Sequence, residues 1–545
     1  MKLQAMLVVA AIVAASFAGQ AAAQGLRNDR VAIPDASPAA ARAPDPLAQV
    51  YLVSSRDTYR LAIQGIAHRA SGRRDSAGRS LVISQVRQYQ LPLVSEAIHR
   101  LENRCGGFFA FDSLVQAEGF IRSDKTAQAM RMAPLAYAID NQATVTPWLP
   151  QVDAGAIKTT IDQLSAYRNR YYASTYGLAA AQSIRDDWQA LAAGRSDVSV
   201  TLFTACGNCA TQPSVILSIA GSDLSEEVVV LGAHLDSING AGGGDAEQIA
   251  PGADDDASGI ATLTEVLRVA LAGDWKPRRT VMFMGYAAEE VGLRGSRAIA
   301  NAFRDSDQNV VGVLQLDMTN YKLGTGVDMQ LIEDYSNAGM KQFLADLFDA
   351  YLAPLGLTRG SYTCGYGCSD HASWTSAGYP SAMMFEAGDE NGDYFPYIHS
   401  ADDTMANMDD SAANSAKFAK LGLAFLGELG KTATPGGGDT DGGLLSRGVT
   451  VSGIGKVDGS ITFHMNVPAK STNLEFTISG GTGNADLYMK RGGVPTDVAF
   501  DCRPLKSGNA ETCGLHVPRP GVYYVKLKAN PSFDGVSLKG DYLAH

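Results

Sequence analysis

The chain is poor in the features that mark whole classes of protein. Long apolar runs are missing: the one candidate, Ala5 to Ala18, is shorter than the roughly 20 residues a membrane-spanning helix needs. Basic clusters are missing too. With a net charge of -12 and no Lys/Arg patch to neutralise phosphates, a nucleic-acid partner is not expected. Histidine is scarce, with eight residues in 545, so each one near other metal-binding side chains counts. No internal repeat is present. An apolar content of 46% with mean hydropathy near zero excludes a membrane bundle and wholesale disorder. The length is too great for one ordinary core, so two or three domains are expected.

The first residues, Met1-Lys2 followed by an apolar stretch and the small-residue run Ala21-Ala22-Ala23-Gln24, read as a signal peptide over residues 1–23, removed on export. A buried N-terminal helix is the bland alternative. Export implies a secreted protein whose cysteines sit in an oxidising compartment. There are seven cysteines. Cys364 with Cys368 and Cys502 with Cys513 each close a short loop, and Cys206 with Cys209 could close another, leaving Cys105 single. A pairing of Cys105 with Cys206 or Cys209 stays open. No second Cys or His pair stands at zinc-finger spacing from Cys206 and Cys209.

Residues 24 to about 45 are rich in Ala, Pro and Asp and read as a flexible lead-in. Mixed α+β patterns follow to about Leu135 without a cluster of potential ligands, so 24–140 reads as a separate N-terminal pro-domain. From Asn141 to 432, helices and strands alternate. Val145 to Tyr172 has apolar residues at helical spacing; Ser214–Ile219, Val228–Leu231, Arg279–Gly285, Val310–Leu316 and Pro380–Phe385 read as buried strands; Gly259–Ala270, Leu293–Phe303, Met340–Leu352 and Ala413–Leu429 read as helices. That order predicts a mostly parallel mixed sheet with helices on both faces and ligands at the carboxyl ends of its strands. A Gly/Asp-rich linker (433–445) and a small all-β sandwich (446–545) complete the chain.

The chemistry concentrates between His234 and His399. Asp254-Asp255-Asp256 gathers negative charge in a glycine-punctuated loop with no basic neighbour in sequence, and a folded protein rarely tolerates that without a cation. His234 and Asp236 lie upstream; Glu289-Glu290, Asp317 and His399 lie downstream, most of them after apolar strands. Imidazole and carboxylate donors suit zinc. Two ions about 3.5 to 4 Å apart with a shared carboxylate can activate water and polarise a carbonyl. The expected set is Asp255 as bridge, His234 and Asp317 on one ion, and His399 and Glu290 on the other. Three carboxylates against two dications leave one positive charge, which a bridging hydroxide cancels. Glu289, left uncoordinated, is the general base. Both glutamates reach the site only if their strand ends in a turn, which Val291-Gly292 permits. Asp236 is the expected acceptor for the second N–H of His234.

Bland readings weigh against each residue taken singly, since a lone histidine is more often a core residue than a ligand, and a Glu-Glu pair is usually solvated. The combination shifts the balance. His371 reads as opening a helix beside the site, and Asp254 and Asp256 read as loop-shaping acceptors rather than ligands.

These motifs, Ala-His234-Leu-Asp-Ser, Ala-Pro-Gly-Ala-Asp-Asp255-Asp-Ala-Ser-Gly, Ala-Ala-Glu289-Glu290-Val-Gly, Leu-Gln-Leu-Asp317-Met-Thr-Asn-Tyr and Thr-Cys364-Gly-Tyr-Gly-Cys368-Ser-Asp-His, closely resemble the bacterial leucyl aminopeptidases of the M28 metallopeptidase family, the Vibrio and Aeromonas type. The likeness spans about Asn141 to Gly430. It implies two zinc ions on His234, Asp255, Glu290, Asp317 and His399, with Glu289 as the base. It further implies a pocket for the N-terminal side chain walled by the Cys364–Cys368 disulfide with Met318, Tyr366, Met383, Phe385, Tyr394 and Ile398. The C-terminal segment resembles the bacterial pre-peptidase C-terminal (PPC) domain, and the N-terminal region corresponds in place to the family's inhibitory propeptide. One departure stands out: residues 386–393 are more acidic than the family segment, and an aromatic expected there is missing, so the pocket is expected to be wider or less strictly leucine-selective.

The expectation is thus a secreted, monomeric zinc aminopeptidase that acts on peptides with a free, apolar N-terminal residue. Carboxypeptidase action is disfavoured because no arginine cluster near the motifs would hold a C-terminal carboxylate. A non-catalytic binding module of the same fold would have lost ligands or base, and a one-zinc glutaminyl cyclase would not need two ligand sets.

Overall fold

Three sheets follow one another along the chain. The computed structural model describes residues 44–102, 106–126, 137–240, 245–322, 326–386, 394–433 and 440–544. The expected signal peptide, most of the lead-in, Cys105, the first part of the linker and the acidic segment 387–393 lie outside the described residues. Among the described residues no helix is long and apolar enough to cross a membrane.

The first sheet is antiparallel, in the order β2-β3-β1-β4, from β1 (Gln49–Ser55), β2 (Arg69–Arg74), β3 (Ser80–Arg87) and β4 (Phe108–Phe111). Helices α1 (Leu91–Glu102) and α2 (Leu114–Ser123) accompany it. Its apolar side chains do not close on themselves. Leu52, Leu91, Val94 and Phe108 share a core with Tyr171, Tyr172, Ile238 and Val291 further along, and Phe109 and Phe111 pack with Leu293, Tyr335 and Tyr366. The separate domain expected here is therefore joined to the next by continuous apolar packing.

The stretch from Val145 to Tyr172 is not one helix. It forms α3 (Gln142–Trp148) and α4 (Ala154–Ser165), because Pro150 lacks the N–H that would continue the first, while Asp153 caps the second by accepting from Gly155 N at 2.8 Å. A long helix, α5 (Thr175–Leu191), follows. The second sheet contains β5 (Val198–Phe203), β6 (Ser214–Ile219), β7 (Leu224–His234), β8 (Arg279–Tyr286), β9 (Asn309–Leu316), β10 (Met329–Ile332), β11 (Arg359–Tyr362) and β12 (Ser381–Phe385). Between them lie α6 (Ala257–Ala272), α7 (Arg294–Asp305), α8 (Ala338–Leu347) and α9 (His371–Ala377), and α10 (Ser415–Gly430) closes the region.

Its order is β11-β10-β12-β9-β7-β8-β6-β5. The central run β12-β9-β7-β8 is parallel, whereas β6 and β5 at one side pair antiparallel. Both faces are covered because both sets of alternating side chains are apolar. Val229, Leu231, Val281 and Phe283 meet α4, α5, α6 and α10 on one face. Val228, Val230, Met282 and Met284 meet α7 and α9 on the other. A mostly parallel mixed sheet with helices on both faces is thus what the alternation of patterns specifies.

The third sheet is built on β19 (Gly521–Leu543). Its first half pairs with β15 (Ser460–Val467) and β17 (Thr482–Arg491), and its second half with β14 (Thr450–Val457) and β16 (Thr472–Ser479). β18 (Glu511–Leu515) extends β16. The linker is shorter than expected: Thr440–Leu444 forms β13, parallel to β15, because the edge of β15 offers unpaired backbone groups.

The turn from the aspartate loop into α6 is tight. A Cβ on Gly259 would stand 2.5 Å from the backbone oxygen of Leu316 and against the Asp256 carboxylate. Gly259→Ala is expected to cost roughly 1–3 kcal/mol through overpacking, measurable as a lowered urea midpoint at unchanged slope.

Candidate metal centre

The parallel strands deliver their chemistry at one end. β7 stops at His234, β8 at Tyr286 just before Glu289 and Glu290, and β9 at Leu316 just before Asp317. Asp255 lies in the β7–α6 connection, and His399 follows β12. All six are buried.

Asp255 stands between the two imidazoles. Its Oδ1 is 2.9 Å from His234 Nε2 and its Oδ2 is 3.3 Å from His399 Nε2. Asp317 Oδ1 lies 3.5 Å from His234 Nε2, and Glu290 Oε2 lies 2.9 Å from His399 Nε2. Potential donors converge in two groups, Asp255/Glu290/His399 and His234/Asp256/Asp317, with ligand atoms within 4.8 Å of one another in each. The second group names Asp256 where Asp255 was expected. Both Asp256 oxygens are already engaged, Oδ1 by Gly259 N (2.8 Å) and Met318 N (3.2 Å), and Oδ2 by His234 N (3.0 Å). Asp256 thus shapes the loop, and Asp255 is the carboxylate with oxygens toward both histidines.

The donor set fits cations. Glu290 Oε1 and Asp317 Oδ1 are buried without hydrogen-bond partners, a costly state unless positive charge is bound among them. In the protein alone, burial would raise the Asp255 carboxyl, yet hydrogen bonds and charge from both histidines outweigh it and hold it well below the usual range. Burial pushes Glu290 up to about 7 against the pull of His399, and pushes Glu289 well above an ordinary glutamate.

Backbone geometry aims these groups. Ala288, Met318 and His399 all take left-handed conformations, with φ of 55°, 53° and 55°. Such positions cost energy and cluster where function demands a side-chain direction. The left-handed Ala288 and the turn closed by Gly292 N on Glu289 O (2.8 Å) let both glutamates face the centre.

Asp236 does less for the imidazole and more for the base than expected. Its carboxylate lies 3.5 Å from His234 Nδ1, which also faces the Asp236 backbone oxygen at 3.2 Å, but it accepts from Glu289 N (2.9 Å) and Glu290 N (3.2 Å). Further supports had no clear signal in sequence. Asp403 accepts from Asp254 N (2.8 Å) and Asp255 N (3.1 Å); only its place just after His399 hinted at a role. Ser369 donates to Asp317 Oδ2 at 2.5 Å. His371 opens α9 and faces the Asp334 backbone oxygen at 3.0 Å.

Of the expected pocket residues, Met318, Cys364, Cys368, Met383, Phe385, Tyr394 and Ile398 join one buried cluster. Tyr366 instead packs edge-on with Phe109 and Tyr335. Disulfides join Cys206 to Cys209, Cys364 to Cys368 and Cys502 to Cys513. Glu386, first of the acidic segment, is buried and accepts from Tyr321 N and Phe395 N.

The N-terminal region covers this centre. Ser95 on α1 donates to the Glu290 backbone oxygen at 2.7 Å. The His99 ring centre is 5.5 Å from that of His399 and 5.8 Å from Tyr394. A Cβ on Gly106 would be 3.4 Å from Glu289 Oε1. Burial, with His399 beside it, lowers His99 to about 3, so this imidazole is neutral.

Fold and donor set together define a class, an α/β enzyme of the metallopeptidase type. The chain belongs to peptidase family M28, whose profile matches residues 214–424. A probable leucine aminopeptidase of Arthroderma benhamiae is 37% identical over 310 residues, covering 54% of this chain and 80% of that protein. Leucine aminopeptidase 1 of Pyrenophora teres f. teres is 34% identical, covering 52% and 73%. Among solved structures, the LapA aminopeptidase of Legionella pneumophila aligns with a TM-score of 0.59 at 26% identity, covering 71% of this chain and 99% of that one. LapB from the same organism aligns at 0.58 and 28%, covering 70% and 100%. These relatives are fungal and Legionella proteins; the narrower Vibrio and Aeromonas likeness is carried by the motifs alone. Residues 459–529 match the bacterial pre-peptidase C-terminal domain.

Asp403→Ala removes the acceptor for two amides of the aspartate loop. Affinity for an added divalent cation is expected to fall on the order of 10- to 100-fold, read by competition with a chromogenic chelator.

Proposed function

We propose that this protein is a secreted di-zinc aminopeptidase, made as a precursor, that removes leucine and other apolar residues from the N-termini of peptides. One observation carries the reading: a carboxylate, Asp255, lies between two buried imidazoles, each with its own second carboxylate, beside a further buried glutamate. His234 with Asp317 and His399 with Glu290 would each hold one zinc ion, and Asp255 would touch both. Bound there, the pair would lower the pKa of water and polarise the scissile carbonyl.

Glu289 does the proton work. Its Oε1 is buried and free of hydrogen bonds, and Asp236 fixes its backbone. Burial raises its proton affinity, which suits a group that takes a proton from water and returns it to the departing amine. The apolar wall that includes Met318, Met383, Phe385 and Ile398 supports an aliphatic N-terminal side chain, at about 1–3 kcal/mol per methylene. The leucine aminopeptidase names of the fungal relatives support the same choice. The protein acts alone, as a monomer, on peptides, with no membrane or nucleic-acid partner. Three disulfides and the pre-peptidase C-terminal domain match support export, and contacts of α1 and Gly106 with the centre support an N-terminal segment that blocks substrate until it is removed.

Leucyl substrates with a free amine are expected to be cleaved and N-blocked peptides with a free C-terminus are not; cleavage of the latter alone would reject the proposal. Glu289→Ala should retain zinc while kcat falls roughly 10²-fold or more. Asp255→Ala should instead lose metal, as measured by elemental analysis, and equal zinc content in both variants would contradict the division of roles.

A further inference from the structure

The connection from α4 to α5 carries a buried cation, Arg170. Its guanidinium donates to backbone oxygens on three separate segments. Nε reaches Leu235 O at 3.0 Å, Nη1 reaches Pro251 O at 2.5 Å and Leu164 O at 3.3 Å, and Nη2 reaches Gly252 O at 2.7 Å. Burying a charge against carbonyls is costly, and most of the carbonyls chosen frame the metal centre. Leu235 directly follows His234, the last residue of β7, and Gly252 opens the turn that carries Asp255.

That turn is held by opposite charges on its two kinds of backbone group. Asp403 takes the N–H groups of Asp254 and Asp255, while Arg170 takes the C=O groups at the base. Gly252 O accepts from Arg170 Nη2 and also from Ala257 N (3.1 Å), the first residue of α6, so the mouth of the turn closes on the guanidinium. So close an approach needs glycine. Gly252 has a φ of 54°, and a Cβ there would lie 2.8 Å from Arg170 Nη2 and 2.6 Å from Ser237 Cβ. Ser237 completes the brace, accepting from Arg170 N (2.9 Å) and donating to Ala250 O (2.7 Å). Asn169, the preceding residue, holds only the outer part of the same connection, donating to Ala246 O (3.0 Å) and Gln248 O (2.9 Å).

We propose that Arg170 is a positioning residue for the metal centre: by tying the peptide after His234 to the one that opens the aspartate turn, its planar fork sets how the His234 imidazole and the Asp255 carboxylate meet. This rests on the di-metal reading above and deepens it. Geometry matters here as much as charge. Three nitrogens in one plane reach oxygens on separate segments, whereas a lysine keeps the positive charge but offers its donors from a single atom.

Titrating cobalt into the metal-free full-length protein tests this by affinity and visible spectrum, without any measurement of turnover. Arg170→Lys is expected to weaken cobalt binding on the order of 10-fold or more and to shift the d–d bands. Asn169→Ala is expected to keep wild-type affinity and bands even where its thermal midpoint falls, because it frees only the outer residues of the connection. Wild-type affinity and bands in Arg170→Lys, or equal changes in both variants, would overturn the Arg170 assignment alone, the second by showing a general loosening. Should Arg170→Lys not fold, Ser237→Ala takes its place with the same expected shift, and wild-type behaviour there overturns the assignment. A wild-type chain that binds fewer than two ions would overturn the di-metal reading and this inference with it.

Discussion

The centre depends on buried carboxylates whose positions are dictated by backbone amides. Asp236 takes the amides of both glutamates, Asp254 that of Asn320, Asp256 those of His234, Gly259 and Met318, and Asp403 those of the aspartate loop. Amides are fixed dipoles that carry no net charge, so they can orient anions without neutralising them. Arg170, buried beneath the loop, spends its guanidinium on the backbone oxygens of Leu235, Pro251 and Gly252. Negative charge therefore remains directed inward at Asp255, Glu290 and Asp317, an arrangement that suits bound cations.

On the proposed reading, the same arrangement separates the residues that would bind metal from the one that would move protons. Asp255 stays ionised because two imidazoles face it, while Glu289, three residues beyond the end of β8, has burial as its dominant influence. Divergent environments for neighbouring acids are how one cleft holds both a ligand and a proton carrier.

Much of this was legible in sequence for a physical reason. Buried parallel strands are continuous apolar runs, so Val228–Leu231 and Val310–Leu316 announce themselves, and polar residues at their ends stand out against that background. The family likeness added the pocket. Less legible were groups whose work depends on distant chain segments. Asp403 meets the aspartate loop about 150 positions earlier, and neither partner predicts the other. The short strands β10 and β11 lack a run long enough to register. The break at Pro150 lay inside a stretch whose apolar spacing continued through it. Nothing in the first 140 residues signals that their apolar side chains would be shared with Tyr172 and Leu293, since period alone says which face is buried and never against what.

β19 belongs to both layers of the C-terminal domain, with one half laced to β15 and β17 and the other to β14 and β16. Neither layer can be completed before residues 521–543 have been synthesised, so this domain closes in a single late step, after the peptidase sheet has all its strands available. A nick within that strand would open both layers together, which makes the domain an all-or-none appendage whose loss leaves the bonds of the metal centre untouched.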